Sequence, residues 1–307
     1  MSLANIALNQ IIVMFLIIIV GIVCYKCKLI DKETNKKLSD LLLMLVNPLV
    51  IFVSYQRDFS KELLNGLMIS FLLAIITHIF GIFISYLIFR GKNNPDVVIE
   101  RFSTIYSNCG FMGIPLVNGI FGGEGVFYIT AYMTIFNLFI WTQGLIMMVG
   151  KQDKKTMVKT LISPTLVAII LGLVFFVIQI RVPSIIFKTA DYVASMNTPL
   201  AMMIAGVTIA QTNIKKVFAK LRIYLVVIVK LLLIPGILLI IYSRFPLNDV
   251  VITTAVLAAA CPTAATGTLF ALKYNKNAFY ASEIFAITTV ASMATIPIIM
   301  ALTELIL

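Results

Sequence analysis

The chain has 307 residues, of which 61% are hydrophobic and only 12% charged, and its mean hydropathy is +1.04. A soluble domain does not hide that much apolar surface, so the composition excludes an ordinary globular enzyme and reads as an integral membrane protein. The net charge of +11 does not point to nucleic acid, because the Lys and Arg residues fall in short loops between apolar segments, the pattern that orients membrane proteins.

Ten segments are expected to cross about 30 Å of hydrocarbon at a rise of 1.5 Å per residue. They lie near residues 5–25, 36–55, 63–89, 99–121, 124–149, 161–180, 185–210, 221–243, 249–272 and 278–304. No basic stretch precedes the first, which runs out in Cys24-Tyr25-Lys26-Cys27-Lys28 without a small-residue cleavage site, so it reads as a membrane helix rather than a removable leader. The loops after segments 1, 3, 5, 7 and 9 hold eighteen basic residues and the others hold five. The rich loops are expected to face the cytoplasm and both termini to lie outside, in a multi-pass protein of the inner or plasma membrane.

Segment 2 carries Asn47 ahead of Pro48, an amide that either lines a cavity or braces its own kink. Segment 3 carries His78, the sole histidine, either a group that titrates near neutrality and couples protons or a hydrogen-bonded packing residue. Segment 4 breaks in its middle, at Ser107-Asn108-Cys109-Gly110-Phe111-Met112-Gly113-Ile114-Pro115. Gly110 and Gly113 permit backbone geometry closed to other residues, and Pro115 removes a donor, so two half-helices are expected. Their free N–H groups and partial positive charge suit a carboxylate, while freed carbonyls suit a cation or a hydroxyl. Asn108 is the candidate ligand there, its plainer role being to bridge freed backbone groups.

Segment 7 repeats the amide and proline as Asn197-Thr198-Pro199, with the same two readings for Asn197. Segment 8 holds Lys230 among Ile228, Val229, Leu231, Leu232 and Leu233. Burying that ammonium costs several kcal/mol, so it is read either as a counter-charge or proton-relay pole, or as a structural partner of Glu283 or Asp191. Segment 9 breaks at Cys261-Pro262-Thr263-Ala264-Ala265-Thr266-Gly267, where Pro262 repeats the device and Thr263 and Thr266 line it. Segment 10 opens on Phe279-Tyr280 and carries Glu283, read equally as a proton site or as an interfacial carboxylate.

The two breaks stand about 152 residues apart, close to half the chain, and Asn47, His78, Cys109 and Phe127 find their counterparts near the same offset in Asn197, Lys230, Cys261 and Phe279. Five helices per half is odd, so the second half must enter the membrane the other way up: a 5+5 inverted repeat. Residues 1–150 form the first repeat, 151–160 a basic cytoplasmic connector and 161–307 the second repeat. Lipid cannot satisfy backbone freed by a Gly/Pro break, so matched breaks point to the substrate site of a secondary transporter, the plainer reading being two independent kinks. Cys24 and Cys27 form a CxxC without a second pair, and neither metal nor cofactor is expected. HExxH, GxSxG and GxxxxGK[ST] are all missing, which disfavours an enzyme and an ATP-driven pump.

The run Asn-x-Gly-x-x-Gly-x-Pro from Asn108 to Pro115, the break at Pro262 and the ten-segment plan resemble the auxin efflux carrier family of bacterial permeases and plant PIN-type carriers. The resemblance covers essentially the whole chain and implies a fold similar to the bile-acid/sodium symporters, with helices 4 and 9 crossing near mid-membrane. It also implies a scaffold module and a moving transport module, often in a homodimer, and organic anions as cargo: auxin in plants, malate or malonate in several bacteria. Asn108, Pro115 and Pro262 match the family's crossover. The expected function is a carrier of a small mono- or dicarboxylate or an auxin-like weak acid, held by Asn108 and the half-helix N-termini with help from Lys230 or His78. Its partners are that anion, a proton or sodium as coupling ion and the lipid bilayer, without nucleic acid. The alternatives are a sodium-coupled carrier of a larger amphipathic anion and a membrane sensor that binds a metabolite without moving it. The Asn108–Pro115 and Cys261–Gly267 stretches are expected to touch, with Cys109 near Cys261.

Overall fold

The structure is a computed structural model that describes residues 3–91, 94–150, 163–211 and 220–307. The connector expected at 151–160 lies outside the described residues, as do Lys92, Lys215 and Lys216. The described chain is all-helical: α1 (Leu3–Lys26), α2 (Lys32–Leu41), α3 (Asn47–Ser54), α4 (Lys61–Ile88), α5 (Val97–Ile105), α6 (Ile114–Phe139), α7 (Leu145–Val149), α8 (Pro164–Ile178), α9 (Ser184–Ala194), α10 (Asn197–Ala210), α11 (Leu221–Ile228), α12 (Ile234–Tyr242), α13 (Asp249–Ala260), α14 (Thr266–Lys273) and α15 (Ala278–Ile306). No strand occurs among the described residues, only one isolated antiparallel bridge between Ser107 and Thr263. Among the described residues, seven helical stretches are long and apolar enough to cross a membrane, and α8 and α13 are shorter apolar helices.

One of those stretches, Cys109–Val149, is not straight. Gly122 takes φ +60° and ψ −150°, a region cheap only for glycine. A side chain on Gly113 would come within 3.0 Å of Ile129 Cδ1. In a straight helix those residues would stand about 24 Å apart, so the chain doubles back at Gly122.

Among the described residues four five-residue π turns interrupt the helices, and three of them sit directly before an Xaa-Pro pair: Leu42–Val46 before Asn47-Pro48, Cys109–Gly113 before Ile114-Pro115 and Val229–Leu233 before Ile234-Pro235. In each, the residue preceding proline donates to the carbonyl five residues back rather than four. Proline's ring crowds the carbonyl four residues earlier, and a widened turn relieves that crowding without ending the helix.

Glycines set the closest approaches. Gly21 of α1 lies against the Met203 backbone of α10, and Gly206 of α10 against the Ile18 backbone of α1, the small-residue packing that membrane helices favour. On the other flank α3 packs on α8, where Gly172 accepts the Tyr55 ring. The segment joining α5 to α6 packs against α6, α10 and α13, and the segment joining α13 to α14 bonds α15 through Thr263 and Thr288.

Candidate functional site

The first break follows α5. Tyr106 turns to an extended conformation (φ −95°, ψ 113°), Asn108 is non-helical (φ −78°, ψ 52°), and winding resumes at Cys109. The break therefore lies ahead of Gly110, Gly113 and Pro115 rather than on them. Pro115 stands in the first turn of α6, where a missing N–H costs little, and the π turn before it absorbs the steric conflict. Asn108 closes the new N-terminus through its carbonyl, which accepts from the amides of Met112 (3.0 Å) and Gly113 (3.2 Å). Gly113 is tight against α6, where a side chain would come within 3.0 Å of Ile129 Cδ1, and it faces the other break at ordinary contact distance, 3.6 Å from Cys261 Sγ.

The second break follows α13. Cys261 turns out of the helix (φ −57°, ψ 148°), and Pro262 has no N–H to offer Ala258. The Thr263 amide, which would reach Ala259 in a continuing helix, donates instead to Thr288 Oγ1 (3.3 Å). Helix returns at Thr266.

The two breaks meet at the backbone. Asn108 N–H donates to Pro262 O (2.7 Å) and Ala264 N–H to Tyr106 O (2.8 Å), so two unwound strands of chain satisfy each other where lipid could not. Asn108 is 5% exposed, and Cys109, Cys261, Pro262 and Thr263 are buried, the two thiols being free. Gly110 and Thr266 are half-buried at the two edges of the crossing.

Lys230, on a π turn and only 1% exposed, reaches this point from α11–α12. Its Nζ donates to Ser107 Oγ (2.5 Å) and to Ala259 O (2.8 Å), the carbonyl whose helical donor was diverted. Of the two readings of Lys230, the pairing with Glu283 or Asp191 is not formed: Asp191 is exposed on α9, and Glu283 accepts from Lys220 Nζ at 2.5 Å. Glu283 itself is fully buried.

His78 is fully buried, its Nδ1 lies 2.8 Å from Ala74 O of its own helix, and its ring stacks on Phe139 and tilts against Tyr132. It packs behind the crossing and does not reach it with a polar bond. Asn197 Nδ2 donates to Asn47 Oδ1 (2.6 Å), so the two amides brace each other across the halves, with Asn47 next to Gly110.

Several buried polar atoms at the crossing have no hydrogen-bond partner: Asn108 Nδ2, Thr263 Oγ1 and Thr266 Oγ1. Tyr132 approaches Ser107 and Cys109 from α6. Nothing in its surroundings along the sequence distinguishes it from other aromatic residues of that helix, so only the fold reveals it. Unpaired groups of this kind are costly in an apolar interior and are the natural contacts of a polar ligand. Among the described residues no group of three or more His, Cys, Asp or Glu is placed to hold a metal ion.

A second polar cluster also escaped the sequence reading. Glu100 of α5, fully buried, accepts both bonds of a fork from Arg222 (2.6 and 2.5 Å) and one from Tyr280 OH (3.1 Å). With Asp96, Lys220 and Asn94 these residues line a cavity of about 320 Å³, and the cluster ties α5 to the starts of α11 and α15.

A family model described as "Membrane transport protein" matches residues 6–156 and 149–300. Three curated relatives each share 24% identity with the chain. "Uncharacterized transporter MJ1031" of Methanocaldococcus jannaschii aligns over 68% of this chain and 71% of its own length. An "Uncharacterized transporter" of Methanothermobacter thermautotrophicus aligns over 92% and 93%. A "Putative malonate transporter" of Rhizobium meliloti aligns over 84% of each chain.

Proposed function

The chain belongs to the membrane transport protein family, the auxin efflux carrier family, and is a multi-pass membrane transporter; from that premise we propose that it is a secondary carrier of a small mono- or dicarboxylate. The reading rests on one observation: two broken helices pair through their backbones in a buried place where Asn108 Nδ2, Thr263 Oγ1 and Thr266 Oγ1 lack partners and Tyr132 OH stands by Ser107. A carboxylate is an acceptor-rich anion, and it suits that amide, those hydroxyls and the first-turn N–H groups that begin at Cys109 and at Thr266. Lys230 adds a positive charge beside them. Malonate is the first candidate, because a relative carries that substrate in its name.

In this reading the chain forms ten membrane segments as a 5+5 inverted repeat, with α5–α6 and α13–α14 as the crossing helices 4 and 9. The offset of the two breaks and the basic loops support it, the latter placing both termini outside the inner or plasma membrane. The flanking pairs α1–α10 and α3–α8 serve as scaffold, and the remaining helices carry the crossing between two accesses, in a homodimer.

A carboxylate panel tests the class. Ligands that bind the native state raise its apparent melting temperature, so malonate, malate and related acids should stabilise the detergent-purified protein and enter proteoliposomes as tracers. Stabilisation without tracer flux would make the protein a sensor. Neither effect with any small carboxylate would end the substrate assignment.

A further inference from the structure

Ser107 and Ala259, the two groups that Lys230 bonds, stand 152 residues apart, the separation that relates the two breaks. One ammonium therefore touches equivalent positions of both halves, at the point where they converge. His78 occupies the position equivalent to Lys230 in the first half, and it bonds only its own helix. Among the described residues, Lys230 is thus the one cation that hydrogen-bonds the crossing.

The chemistry of that point is cation chemistry. Ala259 O is a freed carbonyl at the C-terminal end of a half-helix, where the helix dipole places partial negative charge, and Ser107 Oγ is a neutral oxygen. In transporters with broken helices such carbonyls are the ligands of a bound coupling ion. Lys230 fills the same role from a side chain. It is buried, and no carboxylate among the described residues lies within ion-pair distance of it.

We propose that Lys230 is a tethered cation, standing where a monovalent coupling ion would otherwise bind, so that the crossing is assembled and charged without sodium. Two of its three N–H donors hold the breaks together. The third is left for the substrate carboxylate, whose first negative charge it offsets. This last step rests on the carrier reading above; the tethered-cation role does not.

The test compares wild type with Lys230→Ala, each purified in parallel in sodium, methylammonium and choline chloride. Thermal stability is read with a thiol-reactive dye, to which Cys109 and Cys261 become available when the crossing opens. Malonate uptake is measured in liposomes. Wild type should show the same stability and uptake in all three salts. Lys230→Ala should melt earlier in choline and recover in sodium or methylammonium, which fit where choline does not, and its uptake in choline should fall about tenfold or more. Folded variant recovered only with the small cations would carry the same meaning. Sodium-dependent uptake or stability of wild type would overturn the proposal, as would a variant equally stable in choline, or one that neither sodium nor methylammonium rescues. Cation rescue of the variant without malonate uptake by wild type would keep the tethered cation and remove the substrate.

Discussion

The two breaks solve one problem in different ways. At the first, the chain closes its own helix end: Asn108 O accepts two amides of the following turn, and the side-chain amide is left over. At the second, closure is imported, with Thr288 taking the Thr263 amide and Lys230 taking the Ala259 carbonyl. The first break thus offers a donor and the second borrows a cation. In the proposed repeat the backbone is matched, and the chemistry that distinguishes a site comes from where the halves differ, as His78 and Lys230 do.

The largest expected effect comes from the anchor of the first break. Arg222→Ala leaves Glu100 buried without its counter-charge, which should cost about 3–5 kcal/mol and lower the melting temperature of the purified protein. Pairing Arg222→Met with Glu100→Leu should recover most of that loss, because the penalty belongs to the stranded charge. If the single variant is as stable as wild type, α5 is held by packing alone and the first break is less dependent on its surroundings than described.

The amide pair comes next. Asn197→Ala strands Asn47 Oδ1, a buried acceptor, and should cost about 1–3 kcal/mol. Tyr132→Phe sharpens the contrast between folding and function: it gives up at most the approach of its hydroxyl to Ser107, so stability should change by no more than about 1.5 kcal/mol while malonate uptake falls. Equal uptake would remove Tyr132 from the ligand set. The smallest effect is expected at His78. Phe preserves the stack on Phe139, removes an unpartnered Nε2 and gives up the Nδ1 bond to Ala74 O of its own helix, so His78→Phe should stay within about 1.5 kcal/mol of wild type and transport normally. A transport defect there would mean that both halves, not one, supply a polar group.

Much of this was legible in the sequence, for reasons that differ by residue. Helices, matched breaks and their meeting follow from hydropathy and from the rule that lipid cannot satisfy freed backbone. The location of the first break was displaced by the conspicuous Gly110, Gly113 and Pro115, because a π turn takes up the strain that would otherwise unwind the chain there. The partner of Lys230 was not readable: Ser107 lies 123 residues away, and only the crossing of two segments brings its hydroxyl to the ammonium. Glu100 was passed over because a carboxylate near a basic loop looks like a surface charge, and its burial depends on Arg222 and Tyr280 arriving from the other half.

The central claim is that the crossing, through Asn108, holds a carboxylate during transport. Malonate uptake into proteoliposomes by wild type and Asn108→Ala, at matched amounts of folded protein, tests it most directly. Wild type should accumulate malonate, and the variant should lose at least about tenfold of that flux, one donor to a charged ligand being worth roughly 1.5–3 kcal/mol, with its melting temperature little changed. Equal flux by the two proteins would contradict the account.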